Sequence, residues 1–283
     1  MADQDGLRAQ IEEFVARHLA GDPRNRLPRY AEVVIYENPL VGYVRGDDPL
    51  FGEYKQVIGS FHLTPAEAFA EGTGETASAE ELSVVSIVLP FTGAIVDSNA
   101  GQTEVPSELW ALARLDGEVY RDALLVDLVD ELKRLDVQAV APDLLPGFQW
   151  LNDEKVGITT NWSQRHVAYA AGLGSFGLCD GFITPRGKAM RLGSVVAKAK
   201  LASGEVRRPG LHDNCLFYTD GSCTACAERC PGGAITPEGH SKTKCRDYIV
   251  SFTPGINERY GIRNMGCGLC QAGVPCARRI PGA

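Results

Sequence analysis

Eight of the chain's nine cysteines fall between Cys215 and Cys276, while the first 214 residues contain only Cys179. Thiols packed this densely into one end of a chain must be cross-linked or bound to metal. A secreted disulfide scaffold would spread cysteines over a short chain at roughly 8–10% or more. The N-terminal Met1-Ala-Asp-Gln-Asp-Gly has no basic and apolar signal and no twin arginine, so a cytoplasmic location is expected. In a reducing compartment, clustered thiols point to metal or redox chemistry. No apolar run reaches the roughly 20 residues that span a bilayer, so no membrane is expected. With 44% hydrophobic and 23% charged residues in 283, the chain can bury a core as one or two domains.

Charge is uneven. Residues 201–283 carry ten Lys/Arg against seven Asp/Glu, or +3, leaving −11 on residues 1–200 of a total of −8. Nearby cations would suit an anionic cluster, although so small an excess is also what chance gives. The acidic total argues against broad nucleic-acid binding.

The cysteine spacing is Cys215-x7-Cys223-x2-Cys226-x3-Cys230-Pro231, then Cys245-x21-Cys267-x2-Cys270-x5-Cys276. C-x2-C-x3-C-P is the run of bacterial ferredoxins, in which the cysteine before proline ligates the other of two clusters. Applied here, one 4Fe–4S cluster takes Cys215, Cys223, Cys226 and Cys276, and the other takes Cys230, Cys245, Cys267 and Cys270. Asp220 stands where the run would place its first cysteine, so Cys215 must reach in from five residues earlier. Zinc is the alternative, with Cys223-x2-Cys226 and Cys267-x2-Cys270 as two knuckles. It gives no reason for the Cys-Pro step or for the other four cysteines. Cys179 reads as a small packing residue.

Before residue 205 the pattern alternates helix and strand. Leu7, Ile11, Phe14, Val15 and Leu19 predict a helix ended by Gly21-Asp22-Pro23. Ala31–Tyr36 predicts a strand, and 38–51 a turn-rich segment. Thr64-Pro65 opens a helix. Leu82–Leu89 is an apolar run suited to a strand covered on both faces. Val105–Leu115 and Val119–Leu135 predict two helices, Val137–Ala141 a strand, and Arg191–Leu201 another. Asn161 with Gln164 has the form of a capping box for a helix ending at Gly172. This order predicts an α/β (α+β) fold. A boundary near 205 gives residues 1–204 as an α/β domain and 205–283 as a cysteine domain.

The segment from Trp162 to Gly181 is rich in glycine. Gly172, Gly174, Gly177 and Gly181 would let backbone approach a flat or anionic ligand. No strand precedes them, so a dinucleotide fingerprint is weak, and a helix C-cap with a tight connection accounts for the bare pattern. Arg165 and His166 read equally well as ordinary surface side chains.

Arg165-His-Val-Ala-Tyr-Ala-Ala-Gly-Leu-Gly-Ser-Phe-Gly-Leu followed by the double-cluster cysteines resembles the epoxyqueuosine reductase and reductive dehalogenase superfamily. Pro39-Leu-Val-Gly-Tyr with Asp47-Asp-Pro-Leu-Phe, and Leu89-Pro-Phe through Ser98-Asn99, are similar to its short ferredoxin-annotated members. The resemblance covers roughly residues 30–281. It implies a nitroreductase-like cobalamin-binding domain followed by a small two-cluster ferredoxin-like domain. It also implies two 4Fe–4S clusters, cobalamin, and an external electron donor such as a flavodoxin or ferredoxin. The implied activity is a two-electron reduction of a small molecule, with an electron-transfer protein lacking its own substrate site as the alternative. Arg165, His166, Tyr169, Gly172, Gly174 and Phe176 are the implied cofactor-binding residues. The family's acidic residue before this helix has no counterpart in Gly157-Ile-Thr-Thr160, so the catalytic residue is unassigned, with Tyr169 and His166 as candidate proton donors. Gly177-Leu178 stands where Gly-Lys is usual. A helical-repeat tail that helps hold tRNA is not seen, so tRNA is not an expected partner.

Overall fold

Eight consecutive residues, Ser83–Pro90, have every side chain buried, and the rest of the fold is arranged to cover them. The computed structural model describes residues 4–202, 204–263 and 266–282. Met1–Asp3, part of the N-terminal reading above, lie outside the described residues.

The central sheet has four strands: β1 (Leu40–Arg45), β2 (Ser83–Pro90), β3 (Ala139–Val140) and β4 (Met190–Ala197), in the order β1-β2-β4-β3. All three pairings are antiparallel. β2 pairs β4 along its full length, from Met190 opposite Pro90 to Ala197 opposite Ser83. Alternate side chains point to opposite faces, so β2 feeds the cores on both sides of the sheet. Val85, Ile87 and Leu89 join one with Tyr43 and Val195. Val84 joins Val44 and Val196 in a second, and Val88 joins Met190 and Leu192 in a third.

Helices cover both faces. α1 (Gln4–Gly21) buries the five apolar residues expected of it. α2 (Pro49–Val57) begins at an Asp48 cap, and α3 (Pro65–Thr73) has a complete capping box between Thr64 and Glu67. α4 (Gly93–Ala100) and α5 (Glu108–Arg134) follow β2. α6 (Gln164–Ala170) lies on the second core through Val167 and Ala170. The cysteine region adds two single turns, α7 (Leu216–Thr219) and α8 (Ala225–Glu228), and α9 (Lys242–Tyr260).

Several expectations change. The segment 38–51 holds β1 and the start of α2: its glycines and prolines suit turns, but Pro49 occupies a first helical position, where it is tolerated. The two helices expected between 105 and 135 are one, α5. Gly117 lies inside it, where a side chain would sit 2.4 Å from the Tyr36 hydroxyl; the glycine marks a close approach. Asn161 does not cap α6. It accepts from Gln149 N–H and donates to the Gly147 carbonyl, both at 2.9 Å, and Ser163 is the capping position. The long α9 has no counterpart among the expected elements. One continuous apolar cluster runs from Leu7 through Leu89 to Cys215, Cys226, Ile235 and Cys276, so the cysteine region packs into the same core as α1 and α5.

Candidate functional site

The local structure sorts the eight clustered cysteines. Cys215 caps α7, Cys226 lies in α8, and Cys276 arrives on the last described segment. Together with Cys223 they line one small cavity of about 20 Å³, closed by Leu178, Ile183 and Val274. Cys230 follows α8, Cys245 lies on α9, Cys267 precedes the turn Leu269–Gln271, and Cys270 lies within it. These four line a second cavity of about 270 Å³. The two cavities thus hold the two sets read from the spacing.

The sulfurs are widely spread. Among the described residues, the one group of three or more His, Cys, Asp or Glu whose ligand atoms lie within 4.8 Å of one another is His18, Asp22 and Asp127. There Arg24 already supplies a cation, 2.5 Å from Asp22 and 2.8 Å from Asp127. No three thiols of either set are that close. A tetrahedral zinc with bonds of about 2.3 Å requires sulfurs about 3.8 Å apart. The donor sets therefore fit a larger body such as an iron–sulfur cube better than a single ion.

Burial pushes the Cys267 thiol up to about 11 and raises Cys276, while the neighbouring Cys179 sulfur, then burial, raises Cys226 and Cys270. Thiolates in such surroundings need a metal's charge to persist. The Ala234 N–H donates to Cys230 Sγ at 3.3 Å, a contact that favours charge on sulfur.

The second cavity is also lined by cations: Arg114, Arg165, Arg191 and His240. Arg114 and Arg191 both pair with Glu118, at 2.7 and 2.9 Å. His240 Nδ1 lies 3.1 Å from Asp180, and that carboxylate, then Cys245, raises the histidine to about 9.

The residues read from the glycine-rich segment divide into two groups. Arg165 is exposed on α6, donates to the Asp180 carbonyl and reaches the second cavity. His166, Tyr169 and Phe176 are half-buried and meet as rings, with centroids 5.1 Å apart for His166–Phe176 and 6.0 Å for Tyr169–Phe176. Leu40, Leu173, Tyr169 and Phe176 form one partly exposed apolar face over Met190 and Leu192.

Gly172 and Gly174 have another explanation. A side chain at Gly172, where φ is +74°, would lie 2.8 Å from the Arg207 carbonyl oxygen, and one at Gly174 would lie 2.2 Å from that of Ile183. Their close approach is to the protein's own backbone. The two candidate proton donors are also committed. The Tyr169 hydroxyl donates to the Pro209 carbonyl at 3.2 Å. Burial drives His166 down to about 3, so its ring is neutral near pH 7, with Nδ1 2.8 Å from Ser163 Oγ.

Sequence reasoning misses two buried residues as a pair. Cys179 reads as packing, and Lys188 sits inconspicuously in Thr184-Pro-Arg-Gly-Lys188. The Lys188 ammonium donates to Cys179 Sγ at 3.2 Å. The legible signal is a glycine turn returning a lysine beside a cysteine, but only the Phe176–Phe182 pairing of the strands Ser175–Phe176 and Phe182–Ile183 brings them together.

No protein-family model matches the chain. Among curated proteins it is similar to the epoxyqueuosine reductases of Staphylococcus aureus (32% identical over 124 residues) and Bacillus anthracis (30% over 123). These matches take in 42% and 41% of this chain but only 30% of each relative's length. Among solved structures, epoxyqueuosine reductase from Bacillus subtilis superposes with a TM-score of 0.52 at 17% identity, over 99% of this chain and 67% of that one. A second epoxyqueuosine reductase, solved with a tRNA-Tyr stem loop, gives 0.52 at 17%, over 97% and 66%. A reductive dehalogenase described as suggesting B12-dependent dehalogenation gives 0.52 at 13%, over 99% and 37%. Among the described residues, no helix is long and apolar enough to cross a membrane.

Proposed function

We propose, from its likeness to epoxyqueuosine reductases and reductive dehalogenases, that the chain is an iron–sulfur oxidoreductase of a reducing, cytoplasmic compartment. In this reading it holds two 4Fe–4S clusters and carries out a cobalamin-dependent two-electron reduction of a small molecule. The observation that carries it is the division of eight cysteines between two cavities, four and four, with sulfurs too far apart for single zinc ions.

Cys215, Cys223, Cys226 and Cys276 would hold one cluster, and Cys230, Cys245, Cys267 and Cys270 the other. Arg114, Arg191 and His240 place positive charge beside the second set, which favours added electrons there. The apolar face of Leu40, Leu173, Tyr169 and Phe176 fits a flat macrocycle, and Arg165, exposed on the same helix as Tyr169, fits the polar groups of such a ligand. Cobalamin, when bound there, supplies the two-electron chemistry, and the protein supplies orientation and a dry surface. Electrons would come from an external donor of the flavodoxin or ferredoxin class.

One observation favours a second reading, an electron-transfer protein with no substrate site of its own. Gly157–Thr160 carries no carboxylate, the Tyr169 hydroxyl is engaged, and His166 is neutral, so the apolar face lacks a free proton donor. The expectation that tRNA is not a partner gains no support, since one structural neighbour was solved with a tRNA stem loop.

Anaerobic purification with iron, sulfide and zinc analysis, then titration with cobalamin followed by absorbance, tests these readings. About eight irons per chain and a saturable cobalamin shift support the first. Eight irons without a shift support the second. Zinc in place of iron refutes both. A tRNA stem loop added to the iron-loaded protein, read by fluorescence anisotropy, tests tRNA directly.

A further inference from the structure

We propose that Lys188 is a fixed cation shared by the two cysteine sets, seated by the non-ligand Cys179, and that it raises the reduction potential of both clusters. The inference rests on the two-cluster reading above.

The pair spans the partition between the cavities. Lys188 lines the cavity of Cys215, Cys223, Cys226 and Cys276, and Cys179 lines the other. Their contact, Nζ to Sγ, is 3.2 Å. Cys179 Sγ also has the thiols of Cys226 and Cys270, one from each set, as electrostatic neighbours, and Lys188 has that of Cys276. Lys188 is only 3% exposed. The groups that act on its ammonium, Cys179, Cys276, Cys270 and Cys226, are all sulfurs. An ammonium is costly to bury unless its neighbours carry negative charge. Thiolates bound to an anionic cluster provide that charge.

The backbone keeps the lysine in place. Its N–H donates to the carbonyls of Cys276 and Ala277, at 3.0 and 3.1 Å. Thr184 Oγ1 closes the preceding turn on Gly187 at 2.9 Å. Gly187, at φ +80°, presses so closely that a side chain would lie 2.3 Å from the Ala277 carbonyl oxygen. The ammonium therefore stays beside both sets. One electron delivered to either cysteine set's cluster by a donor of the reduced-ferredoxin class would add one negative charge beside this cation. Cluster potential rises with nearby positive charge and with hydrogen bonds to sulfur. Cys179 positions the charge and ligates no iron.

The test compares the reconstituted full-length protein with Lys188→Met, Lys188→Arg and Cys179→Ala. Iron and sulfide are assayed first. A potentiometric titration with dithionite, followed by EPR, then reads both clusters. All four proteins should hold about eight irons. Lys188→Met should make both clusters at least tenfold harder to reduce, which is about 59 mV for a one-electron couple. Lys188→Arg should stay within threefold of the parent. Cys179→Ala should shift both clusters in the same direction as Lys188→Met. Unchanged potentials in Lys188→Met, a shift in one cluster alone, or loss of four irons in Cys179→Ala would overturn the proposal. If Lys188→Met cannot hold iron, the Cys179→Ala potentials decide by the same criteria. A parent protein without iron defeats the two-cluster reading itself, which is a separate outcome.

Discussion

Lowering the pH should weaken this fold, and His62 should carry a separable share of the loss. His62 is fully buried. Its ring stacks on Trp162 (centroids 5.9 Å apart, planes 15° apart) and meets the Tyr54 ring edge-on at 5.6 Å. Nε2 accepts the Ser163 N–H at 3.1 Å, while Nδ1 has no partner. Burial pushes this histidine from 6.5 down to about 4. The unfolded chain therefore binds a proton between those values that the folded chain refuses. Stability contributed by the neutral ring is complete above the unfolded value and is lost as pH falls toward the folded one. Each tenfold difference in proton affinity between the two states corresponds to about 1.4 kcal/mol, so going from pH 7 to pH 4.5 should cost about 2–3 kcal/mol from this group. The assay is urea unfolding at several pH values on the parent and on His62→Phe, which keeps an aromatic ring beside Trp162 and cannot titrate. Subtracting the two curves removes contributions they share, including acid loss of metal. If both proteins lose stability equally between pH 7 and pH 4.5, the neutral-histidine argument is wrong.

Two further outcomes follow from the geometry. Cys215→Ala and Cys276→Ala should each lose the irons of the same cluster, about four of eight, and the double variant should lose no more than either alone; separate, additive losses in iron analysis would refute the shared set. Gly117→Ala should destabilise by about 1–3 kcal/mol through overpacking, although such a change in a helix interior ordinarily gains about 1 kcal/mol. The cause is the 2.4 Å approach to the Tyr36 hydroxyl, and urea midpoints at or above the parent's would sink it.

How much can be read from the sequence depends on how local each signal is. α1 and β2 are visible because their apolar residues follow one period and pack against one core. The capping box of α3 is complete within four residues. β1 and α2 are hidden because Gly42, Gly46 and Pro49 also suit turns, and only pairing with β2 makes 40–45 a strand. Asn161 suggests the wrong hydrogen bonds because its partners, Gly147 and Gln149, come from a separate segment. In the site, the two cysteine sets can be written down from spacing, since cluster ligation imposes a register on the chain. The Lys188–Cys179 contact and the cationic wall of Arg114 and Arg191 cannot, because each depends on elements brought together by the fold. Gly172 and Gly174 show the converse: a real signal of close backbone approach, with the protein's own carbonyls as the neighbour.

The nesting of the two cavities bears on biosynthesis. Cys230, Cys245, Cys267 and Cys270 all lie between Cys226 and Cys276 in the chain. A ribosome making the protein from the N-terminus therefore releases the complete inner set while the outer one still has only three thiols. The outer site must wait for a segment that also carries the backbone carbonyls on which Lys188 docks. The threading of the chain thus makes the outer set the last to gain its full complement of thiols.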